Sequence, residues 1–329
     1  MNQFVHRHYA QVKSTVEAVV TIGSFDGLHL GHAHLLNRAK VLAEQRNLAP
    51  WVLTFEPHPA RALAPDRSPP LLMGFERKMR ALGQAGFSVL AQEFDQDFAK
   101  LSPEDFARKV LGVISARMVV VGDDFTFGWQ GAGRAEDLLR LGEEAGFGVE
   151  VVKKIAVDGM IASSTRIRAF LLQGQVEPAA ALLGRPYLVA GRVEKGQGRG
   201  RALGVPTANL CSPAELLPAR GVYVGWAFLS DGEPAHLAVT NIGVNPTFGP
   251  GPRTVESHLL DYEGELLDRP LALAFAARIR DEGCFDGPAS LVAQIEKDIE
   301  QARFWAEFRP RPTAPHALEG ILLDMVRCG

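Results

Sequence analysis

A glycine-rich segment at residues 23–32, GSFDGLHLGH, constrains the fold of this chain more than any other feature. It follows a short apolar run and precedes a stretch in which apolar residues recur at helical spacing. A loop that leads from a buried strand into a helix presents free backbone N–H groups and the positive end of the helix dipole, which together favour phosphate. His29 and His32 stand three residues apart, so both rings can donate hydrogen bonds to a phosphoryl group.

Two other interpretations compete with a phosphate site in this HxGH segment (residues 23–32). The first is a turn with two surface histidines, although the composition gives only about 0.02 chance occurrences of HxGH in the chain. The second is a zinc site made of His29, His32 and His34, although the segment lacks HExxH spacing and a nearby Cys or carboxylate ligand set. A phosphate site fits nucleotidyl transfer, in which donors face the charge that develops on the α-phosphate and on departing diphosphate.

The first half of the chain alternates strand and helix patterns. Short apolar runs, typical of buried parallel strands, lie at residues 17–22, 51–55, 117–122 and 149–153. Helical spacing of apolar residues at 35–43 predicts a helix, Ser102 followed by Pro103 predicts a helix start, and a further helix is predicted over 135–145. This order predicts a doubly wound, Rossmann-like α/β domain that binds ligands at the carboxyl ends of its strands.

The pattern changes after about residue 183, where glycines become frequent between residues 191 and 204. Short strands are predicted next, at residues 223–228, 236–239, 254–260 and 271–279, with turns at Asp231-Gly232 and Asn245-Pro246. An amphipathic helix over 288–305 comes last. We predict a β-barrel with a C-terminal helix, and domains at residues 1–183 and 184–308. Residues 309–329 are predicted to be a tail that leaves the folded body after Phe308.

Composition excludes several classes of function. With 35 basic and 38 acidic residues the net charge is −3, which argues against a nucleic-acid binder that relies on bulk positive charge. No apolar run approaches the length of a membrane helix, and the N-terminus lacks the apolar core of a secretory signal. The three cysteines, Cys211, Cys284 and Cys328, are far apart and odd in number, so no disulfide framework is predicted. We expect a cytoplasmic protein.

Four weaker patterns add candidate residues. At residues 162–168, ASSTRIR, a helix start carries Ser164, Thr165 and Arg168, which suit phosphates but equally suit an ordinary capped helix. The basic glycine-rich loop at 191–201 lacks both GK[ST] and GxGxxG, and it can equally be a flexible surface linker.

The other two patterns lie further along the second half of the chain. In PTAN, Thr207 and Asn209 point the same way on an extended segment and present oxygens to a hard cation such as Mg²⁺. Glu256 lies between apolar positions of a predicted strand, where a carboxylate can accept a hydroxyl proton. An outward-facing glutamate with no chemical role is the alternative for that residue.

Four segments of the first half resemble, in order and spacing, the prokaryotic FAD synthetase module of the HxGH nucleotidyltransferase superfamily. They are GSFDGLHLGH, LTFEPHP at 53–59, VVGDDFTFG at 120–128 and ASSTRIR. The chain departs from that pattern at Ser24, where Asn is usual, and at Ala162, where Ile is usual. The resemblance implies catalytic His29 and His32, nucleotide contacts from Gly23, Phe25, Asp26, Gly31, Ser164, Thr165 and Arg168, and flavin contacts from Phe55, His58, Asp123 and Phe125.

The second half resembles riboflavin kinase. The segments that carry this resemblance are GRVEKGQGRGRALGVPTANL (191–210), ARGVYVG (219–225), TNIGVNPTFG (240–249), RTVESHLLDYEGELLDRPL (253–271) and RIRDEGCFDG (278–287). The resemblance implies Glu256 as the base, Thr207 and Asn209 as ligands of Mg²⁺, nucleotide contacts from Gly196, Gly198, Arg199, Gly200, Thr207 and Asn209, and flavin contacts from Arg278, Arg280 and Phe285. Cys284 stands where a polar residue is more usual, and we expect no redox role for it.

Both resemblances together imply the bifunctional prokaryotic riboflavin kinase/FAD synthetase family, with ATP as co-substrate, riboflavin, FMN and FAD as substrates and products, and Mg²⁺ as the metal. They also imply small-molecule substrates only, no nucleic acid, no membrane, and a monomer or weak homo-oligomer. Two alternatives stay open. One is a flavin-binding regulatory protein derived from such an enzyme. The other is a different HxGH nucleotidyltransferase, acting on phosphopantetheine or a polyol phosphate, which would lack the PTAN and VESHLLD segments.

Overall fold

The computed structural model describes residues 5–6, 8–12, 14–196, 200, 204–211, 215–229, 234–244 and 253–312. Gly198, Arg199, Cys328, the predicted turns Asp231-Gly232 and Asn245-Pro246, and residues 313–329 lie outside the described residues. Contacts along the chain define two compact units: the first ends at Ala162 and the second begins at Ser163.

The first unit is built on a parallel sheet of six strands in the order β1-β4-β3-β2-β5-β8. The strands of this unit are β1 (Val5–His6), β2 (Ala18–Ile22), β3 (Ala49–Glu56), β4 (Ser88–Glu93), β5 (Ala116–Gly122), β6 (Thr126–Phe127), β7 (Gly133–Arg134), β8 (Gly148–Val152), β9 (Ala156–Val157) and β10 (Met160–Ile161). β6 pairs with β7 and β9 with β10, each in a small antiparallel ribbon. The predicted doubly wound α/β fold is confirmed, because β2 has β3 on one side and β5 on the other.

The helices of the first unit are α1 (Leu30–Arg46), α2 (Pro59–Leu63), α3 (Phe75–Gln84), α4 (Gln96–Ala99), α5 (Pro103–Asp105) and α6 (Ala135–Ala145). The predicted start of α5 is confirmed, since the Ser102 hydroxyl accepts the Asp105 N–H at 3.1 Å. A π-helical segment, Phe106–Leu111, continues α5. The prediction missed β4 and α3, because a run as short as VLA and the charged start of FERKMRAL carry little periodic signal.

The sheet of the first unit is buried on both faces, which explains why its strands are apolar runs rather than alternating patterns. Val20, Ile22 and Leu53 pack on one face against the segment that follows α5 and against α6. Val19 and Val52 pack on the other face against α1 and α3. The apolar residues predicted to share one face of α1 are all buried in this second cluster: Leu35, Leu36, Ala39, Leu42 and Ala43.

The second unit contains a closed antiparallel barrel in the order β11-β12-β15-β14-β13-β16, which confirms the predicted barrel. Its strands are β11 (Tyr187–Glu194), β12 (Ala208–Leu210), β13 (Gly221–Phe228), β14 (His236–Val244), β15 (Arg253–Leu259) and β16 (Pro270–Arg280). β11 was not predicted as a strand because Gly191 interrupts its pattern. A Cβ at Gly191 would lie 2.9 Å from the Cys211 carbonyl oxygen, so the close approach of β11 and β12 favours glycine there.

The helices α7 (Ser164–Leu172), α8 (Val176–Leu183) and α9 (Pro288–Glu307) accompany the barrel in the described part of the second unit. The Leu171 carbonyl at the end of α7 accepts the Ala219 N–H at 2.8 Å, and α8 packs against β11 and β16. These contacts place α7 and α8 in the same compact unit as the barrel. The boundary at residues 183/184 between catalytic modules stays a proposal.

Residues 309–312 contact the second unit, although the chain was expected to leave the folded body after Phe308. The Arg309 guanidinium lies 4.5 Å from the centroid of the Trp305 ring and donates to the Trp305 carbonyl at 2.6 Å. The Pro312 carbonyl then accepts the Ala235 N–H at 3.0 Å. A cation–π contact and a backbone hydrogen bond therefore hold residues 309–312, which a proline-rich composition alone did not indicate.

Candidate active sites

The HxGH segment lies at the point where the strand order of the first sheet reverses. It leaves the carboxyl end of β2, which pairs with β3 and β5, and it ends in α1. Open α/β sheets bind ligands in the crevice at such a point. The predicted flavin residues lie near the carboxyl ends of the two neighbouring strands: Phe55 lies in β3, His58 follows it, and Asp123 and Phe125 follow β5.

The two histidines of this segment are held in a fixed arrangement. His29 is the N-cap of α1, and its Nδ1 accepts the His32 N–H at 3.3 Å. The two rings stack with centroids 3.6 Å apart and an interplanar angle of 19°. Because Nδ1 accepts a hydrogen bond, the neutral ring of His29 carries its proton on Nε2, which is therefore the donor. His29 is only 6% exposed, which argues against a turn with surface histidines.

Gly31 allows the chain to pass closely beside the first histidine. A Cβ there would lie 3.0 Å from the His29 ring and 3.1 Å from the Ala162 carbonyl oxygen. Both contacts are tighter than ordinary van der Waals distances, so a larger residue would displace the ring or the backbone. These close contacts are a steric reason for glycine at position 31, in addition to its predicted contact with the nucleotide.

Phe25 and Asp26 support the HxGH segment from within the protein. Phe25 is fully buried, its ring lies beneath Gly23, and it meets the His32 ring edge-on at a centroid distance of 5.3 Å. The Asp26 carboxylate accepts the N–H groups of Leu72 and Met73 at 3.0 and 3.1 Å. These contacts show how both residues anchor the loop. Their predicted contacts with a nucleotide stay predictions.

The predicted flavin residues of the first unit differ in their exposure and in their contacts within the protein. Phe55 is 8% exposed and packs in an aromatic cluster with Phe94 and Phe98. The His58 Nδ1 accepts the Ala60 N–H at 3.2 Å and so caps α2. Asp123 is exposed, and the half-buried Phe125 stacks on Phe127 at 5.6 Å. Exposure therefore makes Asp123 and Phe125 the stronger candidates for direct flavin contact.

The predicted helix start at residues 162–168 is confirmed as the beginning of α7. Its cap is Ser163, whose hydroxyl accepts the Arg166 N–H at 3.3 Å. Ser164 and Thr165 therefore occupy the first turn, where backbone N–H groups have no partner within the helix. Arg168 is only 9% exposed, so its side chain is more enclosed than the solvated arginine of an ordinary surface helix.

In the barrel, the structure brings the predicted nucleotide residues together. Asn209 on β12 pairs in register with Glu256 on β15, so both side chains lie on one face of the sheet. A Cβ at Gly196 would overlap the amide nitrogen of Asn209. A Cβ at Gly200 would lie 3.2 Å from the Thr207 hydroxyl. At these two positions, glycine therefore lets the backbone lie against the PTAN segment.

His258 contacts the PTAN segment, and the sequence analysis missed this contact. It lies two residues after Glu256 on β15, so both side chains project from the same face. Its Nδ1 lies 2.7 Å from the Pro206 carbonyl oxygen and donates to it in the Nδ1–H tautomer. This contact ties the turn before Thr207 to the strand of Glu256. No local pattern could reveal it, because the two partners are 52 residues apart.

A cavity of about 1280 Å³ opens beside the barrel strand that carries the predicted flavin residues. Arg253, Arg278, Cys284 and Phe285 contribute to its lining. Arg278 donates to the Arg220 carbonyl at 2.6 Å and forms an ion pair of 2.7 Å with an aspartate three residues later. The lining also includes Asp281 and Glu282, so the cavity combines charged groups of both signs with apolar groups, as a site for an aromatic ligand does.

Arg280 is held by contacts within the protein, and its predicted contact with flavin stays a prediction. Its guanidinium makes a bidentate pair with the buried Asp298 of α9, with the shortest contact at 2.7 Å. Its guanidinium carbon also lies 5.6 Å from the centroid of the Phe285 ring. Arg280 thus joins α9 to β16 and contacts the Phe285 ring.

Removing this guanidinium should destabilise the barrel. In Arg280→Ala the Asp298 carboxylate, only 2% exposed, loses its cation, and we expect the free energy of unfolding in urea to fall by about 3 kcal/mol. Arg303→Ala is the matched control. Arg303 lies on α9, the helix that carries Asp298, and makes a similar bidentate pair with the exposed Asp261. It should cost less than about 1 kcal/mol. Equal losses in the two variants would contradict a structural role for Arg280.

The donors present fit magnesium better than zinc. Across the described ranges, no group of three or more His, Cys, Asp or Glu side chains is placed to hold a metal ion, so the zinc interpretation of the HxGH segment gains no support. The Thr207 hydroxyl and the Asn209 amide oxygen are hard donors that suit Mg²⁺ together with phosphate oxygens and water. None of the helices within those ranges combines the length and apolar character needed to cross a bilayer.

A parallel α/β unit with an HxGH segment, followed by a barrel with a PTAN segment, defines a two-module protein built for phosphate-bearing nucleotides. Residues 11–166 match the family model for FAD synthetase, and residues 183–306 match that for riboflavin kinase. Together with the relatives described next, these matches show that the chain belongs to the bifunctional riboflavin kinase/FMN adenylyltransferase family.

Relatives of that name cover most of the chain. The protein from Bacillus subtilis (strain 168) is 36% identical over 312 residues, which cover 92% of this chain and 98% of that protein. The protein from Escherichia coli (strain K12) is 37% identical over 290 residues, 87% of this chain and 91% of that protein. A crystal structure described as a macrolide-efflux protein from Streptococcus pneumoniae gives a TM-score of 0.83 at 30% identity, covering 92% of this chain and 99% of that one.

Proposed function

We propose that this protein makes both flavin cofactors from riboflavin and ATP. The barrel unit transfers the γ-phosphoryl group of ATP to riboflavin, giving FMN and ADP. The α/β unit transfers the adenylyl group of ATP to FMN, giving FAD and diphosphate. One observation carries this proposal: a single chain matches both family models, and each matched region carries the polar groups that its half-reaction needs.

For adenylyl transfer, a phosphate oxygen of FMN attacks the α-phosphorus of ATP. The bond from that phosphorus to the bridging oxygen breaks, and diphosphate leaves. No general base is required, because the FMN phosphate is already ionised. The Nε2–H of His29, the ring of His32 and the first turn of α1 stabilise the charge that develops on the α- and β-phosphates. The flavin lies near Asp123 and Phe125. The contacts of Ser164, Thr165 and Arg168 with the outer phosphates, which the family resemblance implies, stay predictions.

For phosphoryl transfer, Glu256 accepts the proton of the ribityl 5′-hydroxyl as its oxygen attacks the γ-phosphorus, and ADP leaves. Thr207 and Asn209 hold Mg²⁺, which when bound neutralises charge on the phosphates. Gly196 and Gly200 let the backbone approach the nucleotide beside Asn209 and Thr207. Arg278 and Phe285 contact the flavin from the cavity beside β16.

A direct assay separates this proposal from its alternatives. The protein is incubated with Mg²⁺, ATP and either riboflavin or FMN, and FMN, FAD and diphosphate are quantified separately. The proposal requires FMN from riboflavin, and FAD with an equal amount of diphosphate from FMN. A flavin-binding regulatory protein would return riboflavin unchanged, and another HxGH nucleotidyltransferase would release diphosphate only with a different acceptor. A cytoplasmic location and a monomer or weak homo-oligomer remain predictions, to be checked by fractionation and by sedimentation.

Fragments of the chain test which unit carries which activity. Residues 163–329 contain the whole second compact unit and should phosphorylate riboflavin at a rate close to that of the full chain, without forming FAD. The predicted module boundary further requires activity from residues 184–329. If the longer fragment is folded by circular dichroism and leaves riboflavin unphosphorylated, the assignment of the kinase to this unit is wrong. If only the shorter one fails, α7 and α8 are needed for the barrel to fold.

A further inference from the structure

A buried lysine in the first unit contacts the HxGH segment, although it belongs to none of the motifs. Lys78 lies on α3 and is 6% exposed. Its ammonium donates to the Ser24 carbonyl at 3.1 Å and lies 3.4 Å from the Thr54 hydroxyl. The Thr54 hydroxyl donates to the same carbonyl at 3.2 Å. Two donors from different elements therefore converge on one carbonyl oxygen of the segment.

Placing an ammonium at this position costs free energy, because burial removes its hydration. Burial lowers the pKa of Lys78, and the carboxylates of Glu56 and Asp26 oppose this lowering in part. An apolar side chain would avoid that cost in a helix whose neighbouring residues, Met79 and Leu82, are buried in the core. The contact with Ser24 is the specific interaction that only a donor at this position provides.

The carbonyl that Lys78 holds belongs to a backbone segment with an unusual conformation. Phe25 follows it with a φ of +50°, in the left-handed region that side chains other than glycine adopt at a cost. In a trans peptide, the carbonyl of Ser24 and the N–H of Phe25 point in opposite directions. Fixing the carbonyl toward Lys78 and Thr54 therefore fixes the Phe25 N–H toward the other side of the loop.

We infer that Lys78 is a positioning residue for adenylyl transfer, holding the Ser24–Phe25 peptide so that the Phe25 N–H faces the phosphates of the nucleotide. This inference rests on the proposed function of the first unit. Lys78 acts through the backbone and touches neither ATP nor FMN. Its effect falls on ATP, whose phosphates approach the loop. Phosphorylation of riboflavin in the barrel unit stays unaffected.

The test uses Lys78→Met in the full-length chain. We expect kcat for FAD formation to fall about 10–100-fold, because a misplaced Phe25 N–H no longer aligns the reacting phosphate. KM for ATP in the same reaction should rise, and KM for FMN should stay within about twofold of wild type. Riboflavin phosphorylation by the same molecules should be unchanged, which serves as an internal control. A purely structural role would lower the folded fraction without changing KM for ATP.

Lys40→Met is the matched control, because Lys40 also donates to a backbone carbonyl of the first unit, that of Ala85, outside the HxGH segment. It should leave FAD formation unchanged. If Lys78→Met does not fold, Thr54→Val removes the other donor to the Ser24 carbonyl at nearly equal volume, and FAD formation should fall about three- to tenfold. A folded Lys78→Met with wild-type kinetics, or an unaffected Thr54→Val, overturns the inference alone. A wild-type chain that forms no FAD overturns the proposed function as well.

Discussion

In His29→Ala, FAD formation should fall about 10²–10³-fold while FMN accumulates from riboflavin. The substitution removes the Nε2–H donor that faces the charge developing on the transferred phosphate, and loss of one such donor costs about 10²–10³ in kcat. The kinase site lies in the other compact unit, so FMN is still produced. The measurement is chromatographic quantification of FMN, FAD and diphosphate after incubation with riboflavin, ATP and Mg²⁺. Unchanged diphosphate release in this variant would exclude the assigned role.

Two further variants separate chemistry from folding, because His29 also caps α1. His29→Asn keeps a side-chain oxygen that can accept the His32 N–H but lacks the ring donor, so it should lose FAD formation as fully as His29→Ala. Only His29→Ala should lose about 1 kcal/mol of stability from the missing cap. His34→Ala changes an exposed histidine of the same helix and should leave both activities unchanged. Full activity in His29→Asn would show that capping is the only function of His29.

In Glu256→Gln, riboflavin phosphorylation should fall about 10²–10⁴-fold. The amide keeps the shape of the side chain beside Asn209 but cannot take a proton from the ribityl hydroxyl. FMN supplied directly should still be converted to FAD, because that step uses the first unit. The measurement is the initial rate of FMN formation at saturating ATP and riboflavin.

Glu263→Gln provides the control for that experiment. It makes the same chemical change at an exposed residue that follows β15, and it should leave the kinase rate unchanged. A loss smaller than about threefold in Glu256→Gln would mean that Glu256 is an ordinary outward-facing residue of its strand. Because the two outcomes differ by at least an order of magnitude, a single assay decides between them.

Both histidines, the PTAN segment and Glu256 were found from the sequence because their chemistry is local. A strand, a glycine turn and a helix start follow one another within ten residues, so the HxGH segment carries its own structural context. The same holds for the α/β alternation and for the predicted barrel strands, where burial on one or both faces sets the apolar pattern. Strand β11 was not predicted, because Gly191 interrupts the alternating pattern by which strands are recognised.

The remaining features depend on contacts between distant parts of the chain. Lys78 reaches Ser24 across 54 residues, and His258 reaches Pro206 across 52. Arg280 pairs with the buried Asp298, 18 residues further along the chain. The sequence by itself determined the two modules and predicted their reacting groups, because periodicity and motif spacing act over a few residues. Only the tertiary structure decided which side chains hold those groups in place, because hydrogen bonding and burial depend on which segments the fold brings together.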